Sequence, residues 1–547
     1  MITLLAWFPA LVGWGIWLER RMRAPGTLAG DGVARPAFDG IFGLVIAATV
    51  WNFFAAISPL YCMIMLIAGW LFCVRYRAWT RIGANRLATY VVGLLIAVAL
   101  SLSVVASPVS YDTGLYHLQA VLWSGDGPVA WGLANLHGRF GFNSLWFPWA
   151  ASLGLPGLGL APVFSANALI AFCLVVGLLE GVVGGRNDPH RGVSRLYAFS
   201  ILLMLSLSRG LMIGLLAGPS NDFPAVATSF YCVLQALRAL ESGGPGLALA
   251  SLRLAVLAIF VKVSALPIVL FPLIAGALRD TLTHRKWLLI LIAAGVFWCL
   301  RGFLQSGCAV YPLPASCISS FSWSVPIDAV SEMQRVIEAW AKAPGAPISD
   351  ALVGWGWLPK WWRTFLEQRL IWAVAAYLAA GLALASAARF FRRSSRGLDS
   401  RALGRGLAAN VFGLGFWFLK GPDVRFGLAP LVLMGVLVFI WGWAFWVREP
   451  LVYLVRLRWA LALPATCFVG LVGYNARNLN VSDLFQNHPR LETPALMTAP
   501  TASGLLVQIP QEGERCWDSP RPCTPYLSAY LTKEEWGLWS IWRVTPR

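Results

Sequence analysis

The chain has 547 residues, of which 58% are hydrophobic and only 12% charged, with a formal net charge of +18. A soluble globular chain carries about 25% charged residues, so the charges here are too few to cover a soluble surface of this size, and a lipid-facing surface removes the difficulty. The basic residues lie in short clusters between apolar stretches, the pattern that orients membrane helices, which argues against nucleic acid as a partner and for contact with the bilayer.

A spanning helix needs about 20 mostly apolar residues. Taken in chain order, the first such stretch is 2–19, followed by Arg20, Arg21 and Arg23. A cleaved secretory signal has the reverse order, so this is expected to be an uncleaved first span with its N-terminus outside. Spans at 39–57 and 59–75 join at Ser58-Pro59, with Arg75, Arg77, Arg81 and Arg86 inside; 87–106 leads to an outer loop, 107–160. Spans then follow at 161–183, 196–217, 224–240, 247–263, 265–279 and 287–304, the last opening a second long outer loop, 305–368. The series closes with 370–390, the basic run Arg389–Arg405, then 407–420, 427–447 and 459–474. The sequence therefore predicts an all-α polytopic membrane protein of about 14 transmembrane helices. It divides into a membrane domain, 1–474, and an outer C-terminal tail, 475–547. The pairs 39–75 and 247–279 could each be a re-entrant hairpin instead.

Ten cysteines fit this topology. Cys62, Cys73, Cys173, Cys232, Cys299 and Cys467 lie in apolar stretches, where cysteine is a small hydrophobe. Cys308 and Cys317, and Cys516 and Cys523, lie on outer segments at close spacing, which in an oxidising compartment reads as two disulfides.

Polar residues concentrate on the outer segments. In Asp112–Trp123, helical spacing would put Asp112, Tyr116, Gln119 and Trp123 on one face and Leu115, Leu118 and Leu122 on the other, as in a helix lying on the membrane. Asp112 is then either a general base, with His117 nearby, or an ordinary helix cap. The loop Gly132–Ser144 supplies Asn135, His137, Arg139 and Asn143, with glycines that let backbone approach a ligand or let the loop satisfy itself; Arg139 suits a phosphate. Asp222 stands at an outer span end as a second carboxylate or a cap. Lys262, inside an apolar run, is a functional candidate by default, with snorkelling as the alternative. Arg425 is placed to bind a phosphate or to pair with Asp112 or Asp423. No nucleotide-binding loop, dinucleotide fingerprint or zinc-protease motif occurs.

These features together resemble the GT-C class of integral-membrane glycosyltransferases: many spans, an acidic residue in the first large outer loop (here Tyr111-Asp112, followed by Tyr116-His117), outer-face amphipathic helices and an outer C-terminal portion. The segments Asp112–Trp123, Gly132–Ser144, Trp298–Pro312 and Pro422–Pro430 also look like a little-characterised bacterial polytopic family of GT-C-like character. The resemblance implies a polyprenyl-phosphate-linked sugar as donor and a cell-envelope glycan, lipid or exopolysaccharide as acceptor, with no obligatory metal or cofactor. It implies Asp112 as base, His117 or Asp222 orienting the acceptor, and Arg139, Lys262 and Arg425 holding the phosphate, with Tyr116, Gln119, Asn135, His137 and Asn143 as further substrate contacts. It implies a bacterial inner membrane with both termini periplasmic. Here Asp112 is followed by Thr113 rather than by a second acid. The rival expectations are an envelope-glycan polymerase or ligase using lipid-diphosphate donors, and a transporter or flippase. In the glycosyltransferase reading, Asp112 is expected to face a cavity shared with Asp222, Lys262 or Arg425; an Asp112 pointing away from any cavity would put that reading below the transporter one.

Overall fold

A computed structural model describes residues 1–22, 32–81, 86–106, 109–183, 192–207, 216–243, 246–391, 400–446 and 491–544. Among these, six helices are long and apolar enough to cross a membrane: Ile2–Met22, Ala34–Asn52, Asp222–Ser242, Arg285–Ser306, Arg369–Phe390 and Val424–Trp443. A seventh is counted if Val263–Ile274 and Ala277–Thr283, bent by 78° at their junction, form one broken span. Shorter apolar helices include Pro59–Arg75, Ala166–Val182 and Leu247–Val261. The expected span at 459–474, Cys467 and much of the basic run after Arg389 fall outside the described residues.

The helices pack through small residues. The first two spans lie in close contact because Gly15 faces Pro36, and a Cβ at Gly15 would collide with the Pro36 carbonyl; helices in lipid gain cohesion from such close backbone approach. Pro59–Arg75 starts where Ser58, in extended backbone, accepts a hydrogen bond from Tyr61 N at 3.3 Å and proline fills the first turn.

One end of this bundle is marked by Glu19, which accepts from Arg35 at 3.3 Å and Arg81 at 3.2 Å. Seventeen residues along the second span from Arg35 lies Asn52, whose amide donates to Ser124 O at 3.2 Å and Gly127 O at 3.0 Å. The first long loop therefore attaches at the opposite end. There it meets the other two long segments. Trp131 N donates to Ser540 O and Trp542 N to Trp131 O, each at 2.8 Å, while Asn135 Nδ2 donates to Trp323 O at 2.9 Å.

The expectation of an all-α chain is corrected in the tail. Two antiparallel hairpins form there, Leu496–Pro500 with Leu506–Pro510 and Leu531–Trp536 with Trp539–Val544. The second reads Leu-Thr-Lys-Glu-Glu-Trp-Gly-Leu-Trp-Ser-Ile-Trp-Arg-Val, a β-rich run closed at Gly537 with positive φ, which suits a tight turn. Both disulfides form, Cys308–Cys317 and Cys516–Cys523, with Cα atoms 3.8 and 6.0 Å apart. Cys62, Cys73, Cys173 and Cys232 are buried free thiols and Cys299 is a half-buried one.

Candidate functional site

The Asp112 segment departs from a regular helix in a way that decides what it presents. Thr113–His117 form a π-helical turn, with Leu118 N donating to Thr113 O, before an α-helix runs Leu118–Asp126. A π turn inserts about one residue, turning everything after it by about 100°. The single polar face expected for Asp112, Tyr116, Gln119 and Trp123 is broken by it. Nor does the segment lie on a surface: Thr113 through Gln119 are all buried. The tail covers it, with Trp517 N donating to Gly114 O at 2.9 Å. Gln119 Nε2 spends its hydrogens on Trp517 O and Ser519 O, at 2.9 and 3.0 Å, so Gln119 anchors the tail.

Asp112 is not a cap: its side chain makes no capping hydrogen bond. Its carboxylate is held instead by two arginines. Arg139 Nη1 donates to Oδ1 at 2.9 Å and Arg425 Nη1 to Oδ2 at 3.2 Å. Arg139 comes from the 3-10 turn Gly138–Gly141 and lies over the Tyr116 ring, 5.8 Å from its centre. Arg425 sits in the first turn of Val424–Trp443. That turn is capped by Asp423, which accepts from Arg425 N at 2.8 Å and from its guanidinium at 3.3–3.4 Å. Trp361 Nε1 donates to Pro422 O at 2.6 Å and Trp417 Nε1 to Asp423 O at 2.7 Å, so indole side chains fix the turn that aims Arg425.

Asp222 and Lys262 form a second pair. Asp222 opens the Asp222–Ser242 helix. Lys262 stands in extended backbone at the break between Leu247–Val261 and the 3-10 turn Val263–Val269. The break turns its ammonium to Asp222 and over the Phe426 ring, 4.2 Å from the centre. Phe426 also lies under Arg425, 5.8 Å from the guanidinium carbon, so this one ring joins the two pairs. His117 is buried beside both aspartates, with no partner for Nδ1 among the described residues. Burial holds its pKa down to about 4, keeping the ring neutral at pH 7. Burial likewise raises the Tyr116 phenol well above its ordinary value. The result is three carboxylates and three cations in one patch, with side chains of Asp112, Arg139 and Arg425 exposed by 20%, 28% and 31%.

Other expected contacts have structural work. Asn135 Nδ2 also donates to Gly132 O and Trp542 O, both at 3.1 Å. Asn143 donates to Trp298 O at 2.7 Å and accepts from Arg301 at 3.1 Å. Both amides satisfy irregular backbone and neighbouring side chains, which is why they sit in a glycine-broken loop. His137 is buried between Phe140 and Tyr526, and burial lowers its pKa to about 3. Gly132, at φ +67°, lets its own chain approach: a Cβ there would strike Trp542 O and Trp323. Two cavities flank the patch, one lined by Asn143, Ser144 and Arg301, the other by Ser264, Asn410 and Trp417, and Asp112, Asp222, Lys262 and Arg425 line neither. Asp112 lies instead with Asp222, Lys262 and Arg425 in a charged patch that is partly open.

Sequence reading missed a third ion pair. Arg253 holds Asp39 through two hydrogen bonds of 2.9 and 2.8 Å, between two apolar helices. The signal was available, since a charge within an apolar span is a candidate wherever it occurs. Glu514, which accepts from Tyr111 at 3.0 Å, was also missed; nothing in a tail hundreds of residues away signals that contact. Among the described residues, no three His, Cys, Asp or Glu side chains are grouped to hold a metal ion.

Fold and site together define a largely helical protein with several helices of membrane-spanning length and an ion-paired patch at one end. Residues 1–432 match the family described as "Domain of unknown function (DUF8201)", and the chain belongs to that family. No curated protein and no solved structure matches it. The patch residues all fall within the matched span, and the tail hairpins beyond it.

Proposed function

We propose that the chain is a GT-C-type membrane glycosyltransferase that moves a sugar from a polyprenyl-phosphate donor to a cell-envelope glycan, lipid or exopolysaccharide. In this reading it crosses a bacterial inner membrane about 14 times. The patch and both termini face the periplasm. The observation that carries it is the double engagement of Asp112 by Arg139 and Arg425 in a partly open patch. A donor phosphate competes for the same guanidiniums, which bind carboxylate and phosphate by the same bidentate geometry. As the arginines turn to the phosphate, Asp112 is released to accept the proton of the acceptor hydroxyl. The hydroxyl oxygen bonds to the anomeric carbon, the carbon–oxygen bond to the phosphate breaks, and the lipid phosphate leaves as an anion held by Arg139, Arg425 and Lys262. Neutral His117, beside Asp112 and Asp222, orients the acceptor.

The test is transfer in proteoliposomes. Asp112→Asn keeps the shape of the side chain and one acceptor oxygen but removes the base and the charge between the two arginines, and the expected loss is about a hundred- to ten-thousandfold with the chain still folded. Transfer at the wild-type rate by Asp112→Asn sinks the proposal. Release of a lipid diphosphate in place of the monophosphate assigns the chain to the polymerase or ligase class. One observation favours a transporter: Asp112 lines neither cavity, while the Asp39–Arg253 pair lies within the bundle. Lipid-linked sugar crossing the bilayer with no transfer product decides for that reading.

A further inference from the structure

Arg301 is buried near the end of the Arg285–Ser306 helix and has no carboxylate partner among the described residues. Its Nη1 donates to Asn143 Oδ1 at 3.1 Å and Gln305 Oε1 at 2.6 Å, but both acceptors are neutral, and Nε finds no acceptor. The acid on the facing helix, Asp126, is taken by Arg521. Arg301 lines a cavity together with Trp123, whose buried Nε1 also finds no acceptor. Several other polar groups of that wall are committed. Ser124 Oγ donates to Ala120 O at 3.1 Å, Ser144 Oγ to Val261 O at 2.7 Å, and Asn52 Nδ2 to three carbonyls. The wall therefore offers unspent donors around one full positive charge. Water would satisfy the donors but leave the charge uncompensated, and an uncompensated buried charge is strongly unfavourable.

We propose that this cavity is a binding site for a small monovalent anion, of which chloride is the natural occupant, held by Arg301 and Trp123. The room in the cavity is on the scale of a monatomic ion or a water, which matches a compact anion. The bound anion would join the Arg285–Ser306 helix, through Arg301, to the Leu118–Asp126 helix, through Trp123. The site is independent of the glycosyltransferase reading and stands or falls separately.

The experiment is thermal unfolding of the purified full chain in detergent, at constant ionic strength, with chloride, bromide or gluconate as the anion. A ligand that binds only the folded state raises the midpoint in a saturable way. The expected result is a rise with chloride and bromide, absent with gluconate, that is abolished in Arg301→Met and moved to at least about tenfold higher halide in Trp123→Phe, a loss of about 1.4 kcal/mol in affinity. Equal midpoints of the wild type in all three salts overturn the proposal. So does a halide dependence that Trp123→Phe leaves unchanged, which also covers the case in which Arg301→Met fails to fold.

Discussion

Asp39 and Asp112 are each held by arginine brought from far along the chain, yet the two arrangements do opposite things. Arg253 and Asp39 are matched one to one, bidentate, with side chains only 3% and 4% exposed, and Arg253 is further seated over Trp287. Nothing remains over for a ligand. Asp112 shares two arginines, one of which is also shared with Asp423, and all are partly open. In the closed pair each partner neutralises the other and the cost of separating them falls on the fold. In the open patch no partner is exclusive, so an incoming anion can exchange with Asp112 at small structural cost. The contrast teaches that access and partner sharing, not the presence of an ion pair, separate a cluster that could take a ligand from one that is closed on itself.

The largest expected effect that sharpens this contrast is the Asp112→Asn loss of transfer given above, set beside Arg253→Met. Removing Arg253 strands a buried carboxylate and is expected to cost about 3–5 kcal/mol of stability, read as a large fall in the unfolding midpoint. Comparable destabilisation by Asp112→Asn and Arg253→Met would erase the distinction. Smaller is the tail clamp. Opening Cys516–Cys523 by double substitution to serine is expected to cost about 2 kcal/mol, as for other short loops. It should also lower transfer, because the loop it closes bears on Gly114, two residues from Asp112. Full transfer by the opened variant would separate the tail from the patch.

The smallest effect is a pH dependence. Burial holds His117 down to about 4 and His137 to about 3, against an ordinary value of 6.5. Between those values and 6.5 the unfolded chain binds more protons than the folded one. The stability the neutral rings contribute is therefore fully present above pH 6.5 and is lost as pH falls toward 4. The midpoint should decline over that window, and His117→Phe should flatten part of the decline. An unchanged slope in that variant would show that His117 is charged in the folded protein.

The sequence by itself determined that the chain is mostly helical, with several helices apolar and long enough to span a membrane, because apolar length and charge scarcity are properties of local composition and need no partner. It also determined the disulfides, since pairs nine and seven residues apart can meet through local chain alone. It marked Asp112, Asp222, Lys262 and Arg425 as candidates because each is a charged group beside an apolar run. Tertiary structure alone decided which of them meet. Asp112 and Arg425 are 313 residues apart, and their approach depends on the packing of helices whose lipid-like surfaces carry no pairing code. The same holds for the π turn that turned Gln119 to the tail, for the hairpins that cover it, and for the roles of Asn135 and Asn143. A short amide side chain reads alike in sequence whether it faces a ligand or a backbone carbonyl, and only the neighbours that folding supplies tell the two apart.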